Sequence, residues 1–404
     1  MGNNPTALLY AAESSVNPEE ISKLIEDGED VNYKYGNDVT ALMAAASKNT
    51  NPEIVKVLIR HGARVEDAAK YGQTALMFAA MSNSNPQVIT ALVEAGAKVN
   101  YKNKRGGTSL MAAAAKNNNP DILTSLISLG AKVDERDKHG CTALMYAAMN
   151  SSNPDIISTL VKAGANIEKK DKNGFTPLTL AVSNNKNSNI VSALISCGAK
   201  VKQKTKYDQT VLMFASEKNT NPEILKTLMD LGADIHDVDI SGMDALMYAS
   251  AHNPNPEIIT FLLKAGASVE RKTKIGMTPL MCAAVYNSNP DIFSTLIAEG
   301  AKVDSEDIYE MTALSHAAIH TPNPKVISIL IDAGAKVNSR NKDDMTPLML
   351  AAGNNRPEII SELLKAGANA KAKDKMGLRA IDYVRVNKNL SDTIVPWDLV
   401  NASY

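Results

Sequence analysis

The stretch DKHGCTALMYAAMNSSNPDIISTLVKAGANIEKK, residues 137–170, is the unit from which the rest of the chain is built. It contains an anchor, Thr142 followed by Ala-Leu-Met, that recurs in variant form every 34 residues along the chain. A fixed period of this length is typical of a stacked repeat protein, in which each copy buries its apolar face against the next. The anchors are Thr6, Thr40, Thr74, Thr108, Thr142, Thr176, Thr210, Asp244, Thr278, Thr312 and Thr346.

Two short helices are predicted within the unit. Thr142 is suited to cap the first helix, which we place at residues 143–149 because apolar residues recur there with helical spacing. Asn153 is suited to cap the second helix, with Pro154 at its first position. Gly164 then ends the second helix, because glycine readily takes the left-handed conformation that follows a helix. The residues before the next anchor are expected to form an extended segment and a turn.

This unit resembles the ankyrin repeat, whose pattern is D-x-x-G-x-T-P-L-H-x-A-A…G-A-D-V-N. The resemblance runs from about Thr6 to about Val386. It implies an all-α repeat solenoid of ankyrin-like helix-turn-helix and hairpin units, forming a single elongated, curved domain. The matching residues of the quoted unit are Asp137, Gly140, Thr142, Leu144, Ala147, Ala148, Gly164, Ala165, Asn166 and Ile167.

The chain departs from the family pattern at two recurring positions. Methionine stands where the family has histidine after the anchor leucine, as at Met145, and we expect packing between methionines to replace the hydrogen bonds of that histidine. Asparagine recurs nine residues after the anchor, for example at Asn49 and Asn253. Because asparagine tolerates the left-handed conformation, we expect these residues to end the first helix in that conformation.

The repeat pattern predicts three segments. Residues 1–31 form an N-terminal capping repeat, since the second helix of this segment is polar. Residues 32–370 form ten internal repeats. Residues 371–404 form a C-terminal capping repeat and tail, in which Trp397 is expected to cover the last apolar face.

Composition limits the function classes. The chain has 404 residues and a net charge of −1, which argues against a dedicated binder of nucleic acid or membrane surfaces. Three cysteines without metal-ligand spacing favour a reducing compartment. No apolar run long enough for a transmembrane helix and no signal peptide are visible, so a cytoplasmic location is expected.

No catalytic, cofactor-binding or metal-binding constellation is visible in the sequence. His316 and His320 are four residues apart on a predicted first helix and could face the same way. No third ligand follows at a suitable spacing, so a structural role is favoured for both. We therefore expect neither enzymatic activity nor a cofactor.

The resemblance implies where a partner would bind. In the ankyrin family, partners contact the hairpin tips and the exposed side of the first helix, which together line a concave face. In repeats eight to ten these positions hold apolar residues, which favours a binding surface, with packing of the tips on one another as the alternative. The candidate residues are Ile240, Met243, Ile275, Met277, Val285, Tyr286, Ile308, Tyr309, Met311 and Ile319.

The tips of repeats four to seven are basic instead. They suggest a second hypothesis, the binding of an anionic ligand or nucleic acid, while the ordinary alternative is a solvated rim. The lack of aromatic residues among these lysines makes nucleic acid unlikely as a partner. The candidate basic residues are Lys102, Lys104, Arg105, Lys169, Lys170, Lys172, Lys202, Lys204 and Lys206.

The leading hypothesis from the sequence is a non-catalytic, monomeric scaffold that binds another protein or peptide along its concave face. A rigid repeating frame with irregular, partly apolar tips motivates this hypothesis.

Overall fold

The computed structural model describes residues 6–354, 356–386, 399, 401 and 402. The chain forms two compact units, Met1–Lys200 and Val201–Tyr404. Trp397 lies outside the described residues, so its covering role stays a prediction, as do the capping and internal segments 1–31, 32–370 and 371–404.

The first unit is a stack of helix pairs. Each pair is one repeat, and a hairpin-like loop leads from one pair to the next. The helices are α1 (Ala7–Ser14), α2 (Pro18–Glu26), α3 (Ala41–Lys48), α4 (Pro52–Arg60), α5 (Ala75–Ser82), α6 (Pro86–Glu94), α7 (Ser109–Lys116), α8 (Pro120–Ser128), α9 (Ala143–Asn150), α10 (Pro154–Lys162), α11 (Pro177–Asn184) and α12 (Ser188–Ser196). Odd-numbered helices pack on odd-numbered neighbours and even-numbered on even-numbered ones, which gives two helical layers.

The second unit repeats this arrangement. The helices are α13 (Val211–Lys218), α14 (Pro222–Asp230), α15 (Ala245–His252), α16 (Pro256–Lys264), α17 (Pro279–Tyr286), α18 (Pro290–Ala298), α19 (Ala313–His320), α20 (Pro324–Asp332), α21 (Pro347–Gly353), α22 (Pro357–Lys365) and α23 (Ala380–Val386). The predicted all-α repeat architecture is confirmed.

The helices begin and end as the sequence predicts. The Thr142 hydroxyl accepts a hydrogen bond from the Met145 N–H at the start of α9. The Asn153 side chain accepts one from the Asp155 N–H at 2.9 Å, at the start of α10. Gly164 follows the end of α10 with φ +93°. Because these caps satisfy backbone groups that a short helix leaves unpaired, eight- and nine-residue helices are stable within the stack.

The methionines that replace histidine have two roles. Met145 is fully buried in a cluster with Cys141 and Leu180, so packing between methionines stays a prediction for this repeat. Its sulfur also accepts a hydrogen bond from the Thr142 N–H at 3.4 Å, which the sequence did not predict. Thioether sulfur is a weak acceptor, so this bond is weaker than one to oxygen. The same contact joins Thr210 to Met213, Thr278 to Met281 and Thr346 to Met349.

The recurring asparagines end the first helices, but the expected left-handed conformation is wrong. Asn253 is extended, with φ −80° and ψ 132°, and its side chain is fully buried. Its amide donates to the carbonyls of Ser216 and Asn219, at 2.7 and 2.8 Å, in the preceding repeat. Its side-chain oxygen accepts from the Asn255 N–H. The residue is therefore a polar connector between repeats as well as a helix terminator.

The same two bonds recur within each unit, and we call this pattern the asparagine ladder. Each ladder amide donates to carbonyls 37 and 34 residues earlier, which fixes the register of one repeat on the next. Donors of this kind are Asn49, Asn83, Asn117 and Asn185 in the first unit, and Asn253 and Asn287 in the second.

Ser151 occupies the ladder position in its repeat and lacks an amide. We expect Ser151→Asn to raise the free energy of unfolding by about 1 kcal/mol, because the new amide can donate to Ala114 and Asn117 with the offsets of the other rungs. Chemical denaturation measures the change. The exposed neighbour Ser152→Asn is the control, and equal effects of the two substitutions would contradict the ladder interpretation.

Candidate functional site

The hairpin tip of each repeat is held in one conformation by its own hydrogen bonds. In the repeat of α19, the Asp307 N–H donates to the Met311 carbonyl at 3.1 Å and closes the hairpin. The Asp307 side chain accepts from the N–H groups of Tyr309 and Met311 at 2.7 and 3.0 Å. These hydrogen bonds all lie within the loop 307–311. Ile308 and Tyr309 are at the tip of this loop and are exposed to solvent.

Neighbouring tips are joined to each other through the backbone. The Ile308 N–H donates to the Ile275 carbonyl at 3.0 Å, and the Lys274 N–H donates to the Ser241 carbonyl at 2.9 Å. Gly276 makes this approach possible: its φ is +82°, and an added Cβ would lie 3.0 Å from the Ile308 nitrogen. The tips of this part of the second unit are therefore one connected row.

The hairpins before α15 and α19 are also tied to the first helix of their own repeat. The Tyr248 hydroxyl on α15 donates to Asp239 of the hairpin at 2.8 Å. His316 on α19 makes the equivalent contact with Asp307 at 2.9 Å. Burial, assisted by the Asp239 carboxylate, raises the pKa of Tyr248 to about 12. The phenol therefore stays a hydrogen-bond donor at neutral pH, and the hairpin is held against the helix layer.

Five of the ten predicted partner-binding residues are exposed, at 44–61% of their surface. Four of them form what we call the apolar tip row: Ile240, Ile275, Ile308 and Tyr309. The fifth is Tyr286 at the end of α17, whose ring lies 5.2 Å from the ring of His252. Tyr207, at the tip next to Ile240, is 48% exposed and was not predicted. Asp208 stands at the position that holds the turn glycine in most repeats. Tyr207 directly precedes it and could therefore have been recognised as a tip residue from the sequence.

The other five predicted residues lie deeper. Met243 and Met277 are half-buried and pack against Met247, Ala251 and Cys282. Val285 and Ile319 are also half-buried. Met311 is buried and offers no surface to a partner, because the chain turns back toward the helix layer after the hairpin tip. The available surface is therefore the apolar tip row and Tyr286, with partly covered methionines beside it.

The predicted basic residues divide between the two units, with six in the first and three in the second. Several already have partners. Lys102 lies 2.6 Å from Glu135, Lys169 lies 3.5 Å from Asp134, and Lys204 lies 2.6 Å from Asp237. Lys104 donates to the Lys70 carbonyl at 2.7 Å. The remaining exposed cations of the set are Arg105, Lys170, Lys172, Lys202 and Lys206.

Two basic tip residues were not among those predicted from the sequence. Lys70 and Lys138 occupy the same tip position as Lys104 and Lys172, and all four are exposed. Their spacing of 34 residues was a sufficient signal.

Several groups that could carry chemistry are buried or held in structural contacts. His316 is held by Asp307, and no group of three or more metal-ligating side chains gathers among the described residues. Burial raises the pKa of the Cys141 thiol to about 11 and that of Cys282 to about 12. Because the thiolate is the reactive form, both thiols are inert at neutral pH. No helix in the described part of the chain is long and apolar enough to cross a membrane.

A stack of capped helix pairs with linked hairpin tips defines a helical repeat protein that exposes its tips as a surface. A family model that describes three consecutive ankyrin repeats matches residues 8–103, 76–171, 110–205, 149–239, 212–307 and 283–374. These matches cover most of the chain, which therefore belongs to the ankyrin repeat family. Comparison with curated proteins finds no match. Ankyrin repeats are generally modules of protein–protein interaction, and the family is generally non-catalytic.

Proposed function

We propose that this protein is a non-catalytic scaffold that binds another protein through the apolar tip row and Tyr286. One observation carries the proposal: large apolar side chains are exposed on successive tips that the backbone links into one row. Isolated exposed apolar residues need no explanation, but a contiguous group is typical of an interaction surface.

The chemistry of the surface fits a protein partner. Tyr286 and Tyr309 combine a large apolar ring with a hydroxyl, and tyrosine is frequent among the residues that dominate binding energy. Met243 and Met277 beside them are flexible and polarisable, so they can adapt to a partner's side chains. The isoleucines add apolar area that a protein partner can cover.

The tips are also rigid before any partner binds. Asp307 and its loop hold the backbone of Ile308 and Tyr309, and the link to Ile275 holds neighbouring tips in register. A surface that is already ordered loses little conformational entropy on binding, which favours affinity. This rigidity supports recognition of a folded surface or an extended peptide across several tips.

The test replaces Ile275, Tyr286 and Tyr309 with aspartate in one variant of the full chain. Their exposure means that the substitutions should leave helicity and melting temperature close to those of the unmodified protein. Recovery of the specific partners in affinity purification from the native cell, quantified by mass spectrometry, should fall by about 30-fold or more.

A matched control places three aspartates at exposed apolar positions in other repeats: Tyr10, Val16 and Leu231. The control should keep the partners that the site variant loses. Equal recovery by both variants, with both folded, would remove the apolar tip row as the binding surface.

The proposal also covers the oligomeric state, the cofactor requirement and the cellular compartment of the protein. We propose that it acts as a monomer without a cofactor. Free thiols at Cys141, Cys197 and Cys282 support a reducing, cytoplasmic environment.

A further inference from the structure

The first unit carries a second exposed row of a different kind. Lys70, Lys104, Lys138 and Lys172 stand at the same position of four successive hairpin tips, and we call them the lysine tip row. We propose that this row binds an extended acidic segment of a partner protein. The proposal is independent of the apolar tip row, because the two rows lie in different units.

The backbone sets the spacing of the lysine tip row. The N–H groups of Lys104, Lys138 and Lys172 each donate to a carbonyl of the preceding tip, at 3.2, 3.0 and 3.0 Å. The four lysines therefore hold a fixed register along the tips. All four are exposed, and the Lys104 ammonium also donates to the Lys70 carbonyl. A regular row of cations on a fixed backbone can match a regular row of anions.

The carboxylates of these hairpins are directed inward and do not neutralise the row. Asp137 accepts from the N–H groups of His139 and Cys141 with one oxygen, at 2.9 and 2.8 Å. Its other oxygen accepts from the Tyr146 hydroxyl at 2.8 Å. Asp171 is buried and accepts two N–H bonds in the same way. These carboxylates are used to close the turns.

Two other acidic side chains near the row pair with different lysines. Glu135 binds Lys102, and Asp134 binds Lys169. Residues 70–172, which span the row, carry 13 Lys and Arg against 8 Asp and Glu, although the whole chain has a net charge of −1. The positive charge is thus concentrated in these repeats and is exposed at their tips.

The observations favour an acidic peptide over nucleic acid. Proteins that bind single strands combine cations with successive aromatic rings on which bases stack. In this row the residues after Lys104, Lys138 and Lys172 are Arg105, His139 and Asn173, and only Lys70 precedes a tyrosine. A nucleic-acid partner therefore lacks its stacking platform, whereas carboxylates need only the cations.

The row also specifies the spacing of the acidic residues. Packed helices lie about 10 Å apart, and an extended chain rises about 3.3 Å per residue. The distance between neighbouring tips is therefore spanned by roughly three residues of an extended segment. The preferred partner sequence carries a carboxylate at about every third position, aligned with successive lysines.

The test measures binding of the full chain to a peptide of four Glu-Ser-Ser triplets by fluorescence anisotropy at low salt. Changing Lys104, Lys138 and Lys172 together to glutamine should weaken binding about tenfold, and added salt should weaken binding to the unmodified protein. The matched control changes Lys23, Lys56 and Lys162, which lie on second helices, to glutamine. It should stay within about twofold of the unmodified protein.

Two further probes complete the test. The variant with aspartate at Ile275, Tyr286 and Tyr309 should bind the acidic peptide normally, so failure of one surface is distinguishable from failure of the other. Equal loss in both lysine variants, or absence of peptide binding, would overturn the lysine tip row as a specific site. Tighter binding of a single-stranded oligonucleotide of equal charge, with the same lysine dependence, would overturn the choice of a protein partner.

Discussion

Replacement of Asn253 by alanine should lower the free energy of unfolding by about 3 kcal/mol. The amide of this fully buried residue satisfies the carbonyls of Ser216 and Asn219, and its oxygen satisfies the Asn255 N–H. Alanine would leave all three groups without this partner in the interior, and each unsatisfied buried group costs about 1–3 kcal/mol, partly relieved by local rearrangement. Equilibrium denaturation in urea measures the loss.

Asn150→Ala provides the control for this prediction. The Asn150 side chain is exposed and donates only to the Tyr146 carbonyl in its own helix. Its replacement should cost little, because water can satisfy the exposed carbonyl. Similar losses for the two alanine variants would show that the ladder adds nothing beyond an ordinary surface asparagine.

Replacement of Arg271 by methionine should lower the free energy of unfolding by about 3 kcal/mol through a different mechanism. Asp244, the one anchor from Thr6 to Thr346 that is not threonine, is buried with 1% exposure and caps α15. The Arg271 side chain lies 3.2 Å from it. The Arg271 side chain is 30% exposed, but the Asp244 carboxylate is buried, so removing Arg271 leaves a buried charge without its cation, which costs several kcal/mol. The double substitution Asp244→Thr with Arg271→Met should restore stability, because threonine caps the other helices without a charge.

The difference in stability between the Arg271→Met variant and the double variant should depend on pH with a definite sign. Burial raises the pKa of Asp244 above its ordinary value, although hydrogen bonding to Met247 and the charge of Arg271 lower it in part. Folding therefore disfavours the ionised carboxylate, and the penalty develops as pH rises from the unfolded pKa through the folded pKa. The single and double variants should differ most at pH 7 and converge as pH falls through that window. A constant difference would contradict the buried-charge explanation.

The sequence predicted the helix boundaries because their causes are local. Thr142, Asn153 and Pro154 act on backbone groups two or three residues away, and Gly164 acts on the helix it ends. The 34-residue period then showed that most repeats carry the same capping residues. These features require no knowledge of which residues meet across the stack.

The candidate site was predicted less completely. Sequence reasoning found the exposed residues of the apolar tip row and Tyr286, because the resemblance identifies the tips. It could not separate Met311, which is buried, from Tyr309 two residues earlier. Burial depends on the direction in which the hairpin turns relative to the helix layer. It also missed Lys70 and Lys138, although their spacing of 34 residues from Lys104 and Lys172 was a sufficient signal.

The sequence by itself determined the repeat, the helix pair and the class of protein, because a 34-residue period and its caps are properties of neighbouring residues. The tertiary structure decided the asparagine ladder, the pairing of Asp244 with Arg271, and which tip charges face solvent. Each of these joins residues about one repeat apart in the chain or depends on which way a side chain points. Pattern alone shows that such residues recur, but only packing shows which groups they satisfy and which they leave free for a partner.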